Sequence, residues 1–401
     1  MIKFYKIGLV IFVFWSVVVS SVFAQVAPES DFEVTLTDDL TGAIITGYKG
    51  QGGNLIIPDT IQGFPVKEIG DQVFVAGISM GFGGRVGNYG VYDFRTPNGH
   101  YEYETIYVNC NSLTNVVIPD SVEKIGAYAF VGHDFTTIKL PNQIKEIGQG
   151  AFYYCRSLKN IELPDSLEIL DRNVFENCES LQSVKLSNSL KKIEARTFKY
   201  CKSLQNIELP DSIEEIGKGA FEAKAGYENS SSSLKNVKLS NSLKKIGDRA
   251  FYDCTELESI EIPDSVTEIG VSAFEGTINL SILKLLPSDK LYIHGGAFRG
   301  SGIKELTLNG NILYYEDYDT SGGYGKKFER QTFYKCDKLE TLIFDETVKE
   351  VNHKRMISSK SLKNVIFKSP DTIVTSNESF IVNCPNLTLA SQAEVKKRVK
   401  Q

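Results

Sequence analysis

From Cys155 to Asn177 the chain reads CRSLKNIELPDSLEILDRNVFEN, from Cys178 CESLQSVKLSNSLKKIEARTFKY, and from Cys201 CKSLQNIELPDSIEEIGKGAFEA. These are one 23-residue unit written three times. Taking the first leucine of each unit as an anchor, the series runs Leu113, Phe135, Leu158, Leu181, Leu204, Leu234, Leu257, Leu280, Ile303, Leu339, Leu362 and Leu387. Most steps are 23, with 22 before Phe135, 30 before Leu234, 36 before Leu339 and 25 before Leu387. Within one unit Leu158, Ile161, Leu163, Leu167, Leu170 and Phe175 would ring a single coil, and a lone coil leaves both flat ends of that ring in water. Stacked coils bury the rings on each other, which is how a solenoid stabilises units that cannot fold alone.

Locally, Lys159 to Leu163 alternates and stops at Pro164, as a short parallel strand does. Asp165 and Ser166 supply turn chemistry, a second extended piece follows, and Gly-x-x-Ala-Phe, as at Gly217 to Phe221, predicts a helical or 3₁₀ turn back to the next strand. The expected fold class is an α/β solenoid: a right-handed leucine-rich-repeat superhelix with a parallel β-sheet on its concave face and short strands and 3₁₀ or helical turns on the other side. The unit resembles that of the BspA-like bacterial leucine-rich-repeat surface proteins, C-x-x-L-x-x-I-x-(I/L)-P-x-S-(L/V)-x-x-I-G-x-x-A-F, from about Thr41 to Leu389. Ile45-Thr46-Gly47-Tyr48, Ile57-Pro58-Asp59, Ile69-Gly70 and Phe74 are similar to the capping coil of that class. The resemblance implies cell-surface adhesion, with extracellular-matrix or other host proteins, or neighbouring cells, as partners.

The 401 residues divide on this reading into a signal peptide (1–24), a capping coil (25–75), a Tyr/Gly-rich insertion (76–109), the solenoid (110–389, interrupted at about 313–331) and a basic tail or cap (390–401). The first segment has Lys3 and Lys6, an uncharged run from Ile7 to Val19, and Val22-Phe23-Ala24, the pattern of a secretory signal cut after Ala24. Trp15 is the one tryptophan, so a cleaved product contains none and has no membrane span. The expected location is the cell surface or the medium, with the periplasm as the alternative. The net charge of −6, with no basic block longer than Lys396-Lys397-Arg398, excludes a nucleic-acid footprint.

All seven cysteines sit three residues before an anchor, and the vacant slots hold Gly132, Ser231, Thr277, Gly300 or Ser359. A column of small residues set by packing is the simplest account, so free buried thiols are expected. The fourth residue after each anchor reads Val117, Lys139, Glu162, Lys185, Glu208, Lys238, Glu261, Lys284, Thr307, Ile343 and Ile366, alternating in sign over seven coils. Opposite charges on adjacent strands contribute about 0.2–1 kcal/mol per pair, so alternation fixes coil order. The rival reading is a row that matches a charged partner.

Candidate contact residues come from the interruptions, where tyrosine sits among glycine and serine as in adaptable binding loops. They are Tyr89, Tyr92, Tyr101, Tyr103 and Tyr107 in the first insertion and Tyr314, Tyr315, Tyr318 and Tyr324 in the second, joined by the outward pair Ile343 and Ile366. The alternative for the first insertion is a small hairpin that covers the end of the stack. A third insertion, Ala225 to Ser232, reads as a plain solvated loop. His100, His133, His294 and His353 show no ligand spacing, and the column Asp120, Asp165, Asp211 and Asp264 alternates with Asn142, Asn188 and Asn241 as turn residues do. No catalytic constellation, metal or cofactor is expected, and the chain is read as a monomeric binder of protein ligands.

Overall fold

A computed structural model describes residues 25–76, 89–95, 101–107, 111–223, 233–286, 290–310, 312–314, 332–351, 356–375 and 380–399. The coils contribute strands to two columns of parallel strands, the coil of Phe135 entering the first only through isolated bridges. The first column follows the anchors: Gly53–Ile56, Leu113–Val117, Asn160–Glu162, Ser183–Lys185, Asn206–Glu208, Asn236–Lys238, Ser259–Ile262, Ile282–Leu285, Glu305–Leu308, Thr341–Phe344 and Asn364–Phe367. The second holds the short pieces after the turn, such as Lys124–Ile125, Glu146–Ile147, Lys192–Ile193, Glu215–Ile216, Lys245–Ile246 and Glu268–Ile269. Pairing in both is parallel and in register, so Ile161 lies opposite Val184 and Ile216 opposite Ile246. Phe32–Leu36 pairs antiparallel with Ala43–Tyr48, which pairs parallel with Phe64–Ile69 and begins the second column.

The rings of apolar residues stack as the repeat demands. Leu158, Leu181 and Leu204 share one interior that runs from Phe32 to Ile381. Its axis is a phenylalanine spine: Phe74, Phe130, Phe152, Phe175, Phe198, Phe221, Phe251, Phe274, Phe298 and Phe333 stack with centroids 5.1–5.7 Å apart and planes within 2–11°. Burying one such side chain stabilises by about 1.5–3 kcal/mol, and each ring from Phe130 to Phe298 touches a ring on both sides.

The Gly-x-x-Ala-Phe segment turns back with 3₁₀-type bonds, Ala220 N–H to the Gly217 carbonyl at 3.3 Å and Glu222 N–H to the Gly219 carbonyl at 3.1 Å. Among the described residues helix is confined to the 3₁₀ turn Glu29–Asp31 and the α-helix Leu389–Arg398. The return arc is also a third inter-coil ladder, in which each spine phenylalanine donates its backbone N–H to a carbonyl of the next coil. Phe152 bonds Val174 (3.0 Å), Phe198 bonds Ala220 (2.8 Å) and Phe251 bonds Ala273 (2.7 Å). A ladder of this kind satisfies peptide groups between coils, where a helix would satisfy them within one. It also requires left-handed backbone two residues before the ring, a conformation adopted by Gly150 and Gly219 but also by Asn173, Arg196 and Arg249.

A column of glycines marks the closest approach of successive coils. A Cβ on Gly247 would lie 2.8 Å from the backbone of Gly217 and Ile216, and one on Gly270 would lie 2.6 Å from the N of Asp248. At the far end the helix Leu389–Arg398, capped by the Thr388 hydroxyl on the Ser391 N–H, lies over the last coil. The Ser391 Oγ accepts from the Val365 N–H, and Arg398 Nη1 donates to the carbonyls of Ser369 and Thr372.

Candidate binding surface

The cysteine column is a hydrogen-bonded device as well as a packing one. Each thiol of Cys155, Cys178, Cys201, Cys254 and Cys336 is free, buried, and donates to the carbonyl of the spine phenylalanine one coil back, at 3.0–3.2 Å. Burial pushes the Cys155 and Cys336 thiols up to about 12, so they are protonated donors at neutral pH. Cys384 is half-buried, and Cys110 lies outside the described residues.

Counting from the ring corrects two of the vacant slots. His133 and Ser301, not Gly132 and Gly300, stand three residues after Phe130 and Phe298, where Cys155 stands after Phe152. His133 does the work of the thiol: its Nε2 lies 3.1 Å from the Phe74 carbonyl and its Nδ1 accepts the Leu113 N–H at 3.0 Å. That pairing assigns the proton to Nε2. Burial holds the imidazole down to about 4, so it is neutral at ordinary pH.

Two of the turn aspartates, Asp165 and Asp211, are likewise occupied by neighbours. Asp165 Oδ1 accepts from the backbone N–H and side-chain amide of Asn188 at 3.0 and 3.2 Å, and Asp211 accepts the same two bonds from Asn241. The alternation of Pro-Asp-Ser with Ser-Asn-Ser is therefore an acceptor coil followed by a donor coil. The Asn188 N–H groups hold the Asp165 carboxyl below its usual range. Among the described residues no group of three His, Cys, Asp or Glu side chains could hold a metal ion.

On the outer side of the first column, backbone register sets Glu162 opposite Lys185, Glu208 opposite Lys238, and Glu261 opposite Lys284. The second and third of these steps are ion pairs, at 2.9 Å for Lys284 with Glu261. The first step is open: among the described residues Lys139, Glu162 and Lys185 stand outside every ion pair, and all three are exposed. At the same place strand pairing shrinks to the isolated bridges Val117 with Lys139 and Thr137 with Asn160. A cleft of about 470 Å³ opens there, lined by Thr137, Ile138, Lys139, Leu140, Asn142, Asn160, Ile161, Glu162, Leu163, Pro164, Asp165 and Lys185.

Neither Ile343 nor Ile366 is among the residues that line that cleft. Tyr89–Arg95 and Tyr101–Tyr107 form an antiparallel hairpin in which Tyr89 pairs with Tyr107, Asp93 with Tyr103, Arg95 with Tyr101 and Tyr92 with Glu104. Tyr314 ends the strand Ile312–Tyr314 opposite Ile293, while Tyr315, Tyr318 and Tyr324 lie outside the described residues. Ile343 is half-buried between Thr307 and Ile366, and Ile366 is exposed. Sequence reasoning took Lys139, Glu162 and Lys185 as rungs of a structural ladder. The signal that could have marked them is the 22-residue step beside them, which falls between Phe130 and Phe135.

No curated protein matches the chain. Among solved structures, a leucine-rich repeat protein from Bacteroides ovatus is 19% identical with TM-score 0.50, covering 89% of this chain and 86% of that one. A leucine rich cell surface protein from Faecalibacterium prausnitzii is 20% identical with TM-score 0.46, covering 86% and 94%. A leucine rich repeat protein of T. pallidum is 26% identical with TM-score 0.37, covering 69% and 89%. The first of these likenesses supports the repeat fold. The family model of the BspA type leucine rich repeat region matches residues 103–228, 223–321 and 325–397 in six copies, and with its stacked rings, spine and paired columns the chain belongs to that family.

Proposed function

We propose that the chain is an exported binding protein that makes protein–protein contacts at the cell surface and adheres through them, without catalysis. The observation that supports this is the outer side of the first column: a row of long, exposed, charged side chains whose ion pairing stops at the cleft. Such a row offers partners both charge and shape, and a repeat scaffold holds it rigid. The signal-like segment 1–24 lies outside the described residues, and the described residues contain no helix long and apolar enough to cross a membrane. The hairpin Tyr89–Arg95 and Tyr101–Tyr107 is the second contact element of the reading.

Intact cells test it. Antibody raised against the hairpin should label unpermeabilised cells, and purified protein should capture a partner that is lost when residues 76–108 are removed or the first-column row is charge-reversed. Full protection of the protein in intact cells, with labelling only after the envelope is opened, would establish the alternative of a structural or periplasmic scaffold.

A further inference from the structure

The two ends of the stack are closed by segments that cross both columns. At the start Val26 bridges Ile56 of the first column, and Phe32–Leu36 is the edge strand of the sheet that begins the second. At the finish Ser391 meets Val365 and Val399 bridges Val374. A segment that only ended the stack would present a polar outer face. These two differ: five of the ten large apolar side chains exposed among the described residues lie on them. They are Val26, Leu36 and Leu40 at one end, and Val399 and Leu389, the latter 82% exposed, at the other.

The ends are opposite in charge. Gln25 to Tyr48 carries Glu29, Asp31, Glu33, Asp38 and Asp39 and no Lys, Arg or His. Lys49 pairs with Glu33 at 2.7 Å and Lys67 donates to the Thr41 hydroxyl at 2.8 Å, so Glu29 and the Asp38-Asp39 pair set the sign. At the other end the helix turns Ser391, Val395 and Arg398 toward the coil. Its outer face is then Leu389, Ala393, Lys396 and Lys397, a single stripe at i, i+4, i+7 and i+8. Arg398 is committed to Glu394 at 2.7 Å, whereas Lys396 and Lys397 are exposed and outside every ion pair among the described residues.

We infer that the chain associates head to tail with a second copy of itself, the outer face of the cap helix seated on the Val26–Leu40 end of the next molecule. The partner is a second copy because each end complements the other twice, in sign of charge and in exposed apolar surface, and both ends have the footprint of one coil. Lysines then meet carboxylates and leucines meet leucines, side chain to side chain, with no strand ladder continued. A contact of this kind is heterologous, so it repeats along a filament or closes into a ring. A ten-residue helix on a five-residue strand buries less than about 1,200 Å², the size of weak association, and the monomer expected from sequence is its dilute form.

Sedimentation velocity of the full chain tests it over about 5 to about 500 μM, the range of a weak complex. The weight-average coefficient should rise with concentration in about 0.05 M NaCl and rise far less in about 0.5 M, where exposed charges are screened. Lys396→Glu with Lys397→Glu should weaken association by about tenfold or more, and so should Glu33→Lys with Asp38→Lys. Mixed in equal parts, these two variants should associate again, because the reversed cap of one fits the reversed end of the other. Variants that had failed to fold would show no such rescue. Lys191→Glu with Lys349→Glu reverses two exposed charges on coils inside the stack and should leave association within about twofold. A chain that stays monomeric throughout, association that survives both end reversals, or a mixture that stays apart would each overturn the inference. So would a monomer whose Lys396 and Lys397 instead hold vesicles of equal parts phosphatidylglycerol and phosphatidylcholine, which would assign the cap to a membrane surface.

Discussion

The molecule carries two rows of alternating charge, one on each column of strands, and they differ in what surrounds them. On the second column Lys124 lies 3.8 Å from Glu68 and 3.4 Å from Glu146, Lys192 lies 3.4 Å from Glu215, and Lys245 lies 3.0 Å from Glu268. Those side chains are only partly exposed, 42% for Lys245 and 35% for Glu268, against 69% and 67% for Lys238 and Glu208 on the first column. The hydrogen bond from Lys245 to Glu268 raises the lysine above its ordinary value, and desolvation raises Glu68 above its own. The second row is thus committed to its neighbours, whereas the first stands in solvent and leaves its Lys139, Glu162 and Lys185 end uncommitted. The same sequence device serves stacking where it is half-buried and leaves groups for a partner where it is not.

The sharpest way to break this comparison is to remove what both rows stand on. Phe175→Ala takes one ring from the spine behind the cleft and should cost about 3–5 kcal/mol in chemical denaturation, with both columns lost in one transition. Separate transitions for the two ends would mean that the rows do not share a frame.

A pH titration sharpens it next. The His133 imidazole is held down to about 4 in the folded chain against 6.5 as its reference value. The unfolded state therefore takes up a proton first as pH falls. Stability is complete above about pH 6.5 and declines toward pH 4, by roughly 3 kcal/mol from this group. His133→Asn should lose that slope, and an unchanged slope would assign it to carboxylates elsewhere.

Gly247→Ala tests the second column alone, since the new Cβ meets the previous coil's backbone at 2.8 Å. A loss of about 1–3 kcal/mol is expected. The smallest effects discriminate the rows directly. Double-mutant cycles should give about 0.2–1 kcal/mol for Glu208 with Lys238 and for Glu268 with Lys245, and near zero for Glu162 with Lys185. Coupling of equal size at all three would close the cleft's end of the row and remove its claim to a partner.

The repeat, the stacked interior and both columns of strands were legible in the sequence because their period is the period of the chain itself. Leu158, Leu181 and Leu204 stand 23 residues apart and must meet. The third ladder was not legible, since Gly-x-x-Ala-Phe specifies the turn within a coil and not the bond from its phenylalanine N–H to the next coil's carbonyl. His133 was misplaced by counting from the anchor across a turn one residue short. The cleft escaped for another reason: alternating charges specify an order of coils without specifying which rungs close. For the five tyrosines of the first insertion, backbone register gives a hairpin, the alternative the sequence had left beside the contact loop.

The helix Leu389–Arg398 covers an edge that would otherwise be open. An uncovered terminal strand such as Asn364–Phe367 is a template on which another chain can continue the sheet. Here its Val365 N–H is already spent on Ser391, Val399 bridges Val374, and a run of three cations crosses the exit. At this end the edges of both columns are met by the polypeptide's own final segment, through Ser391 on the first and Val399 on the second.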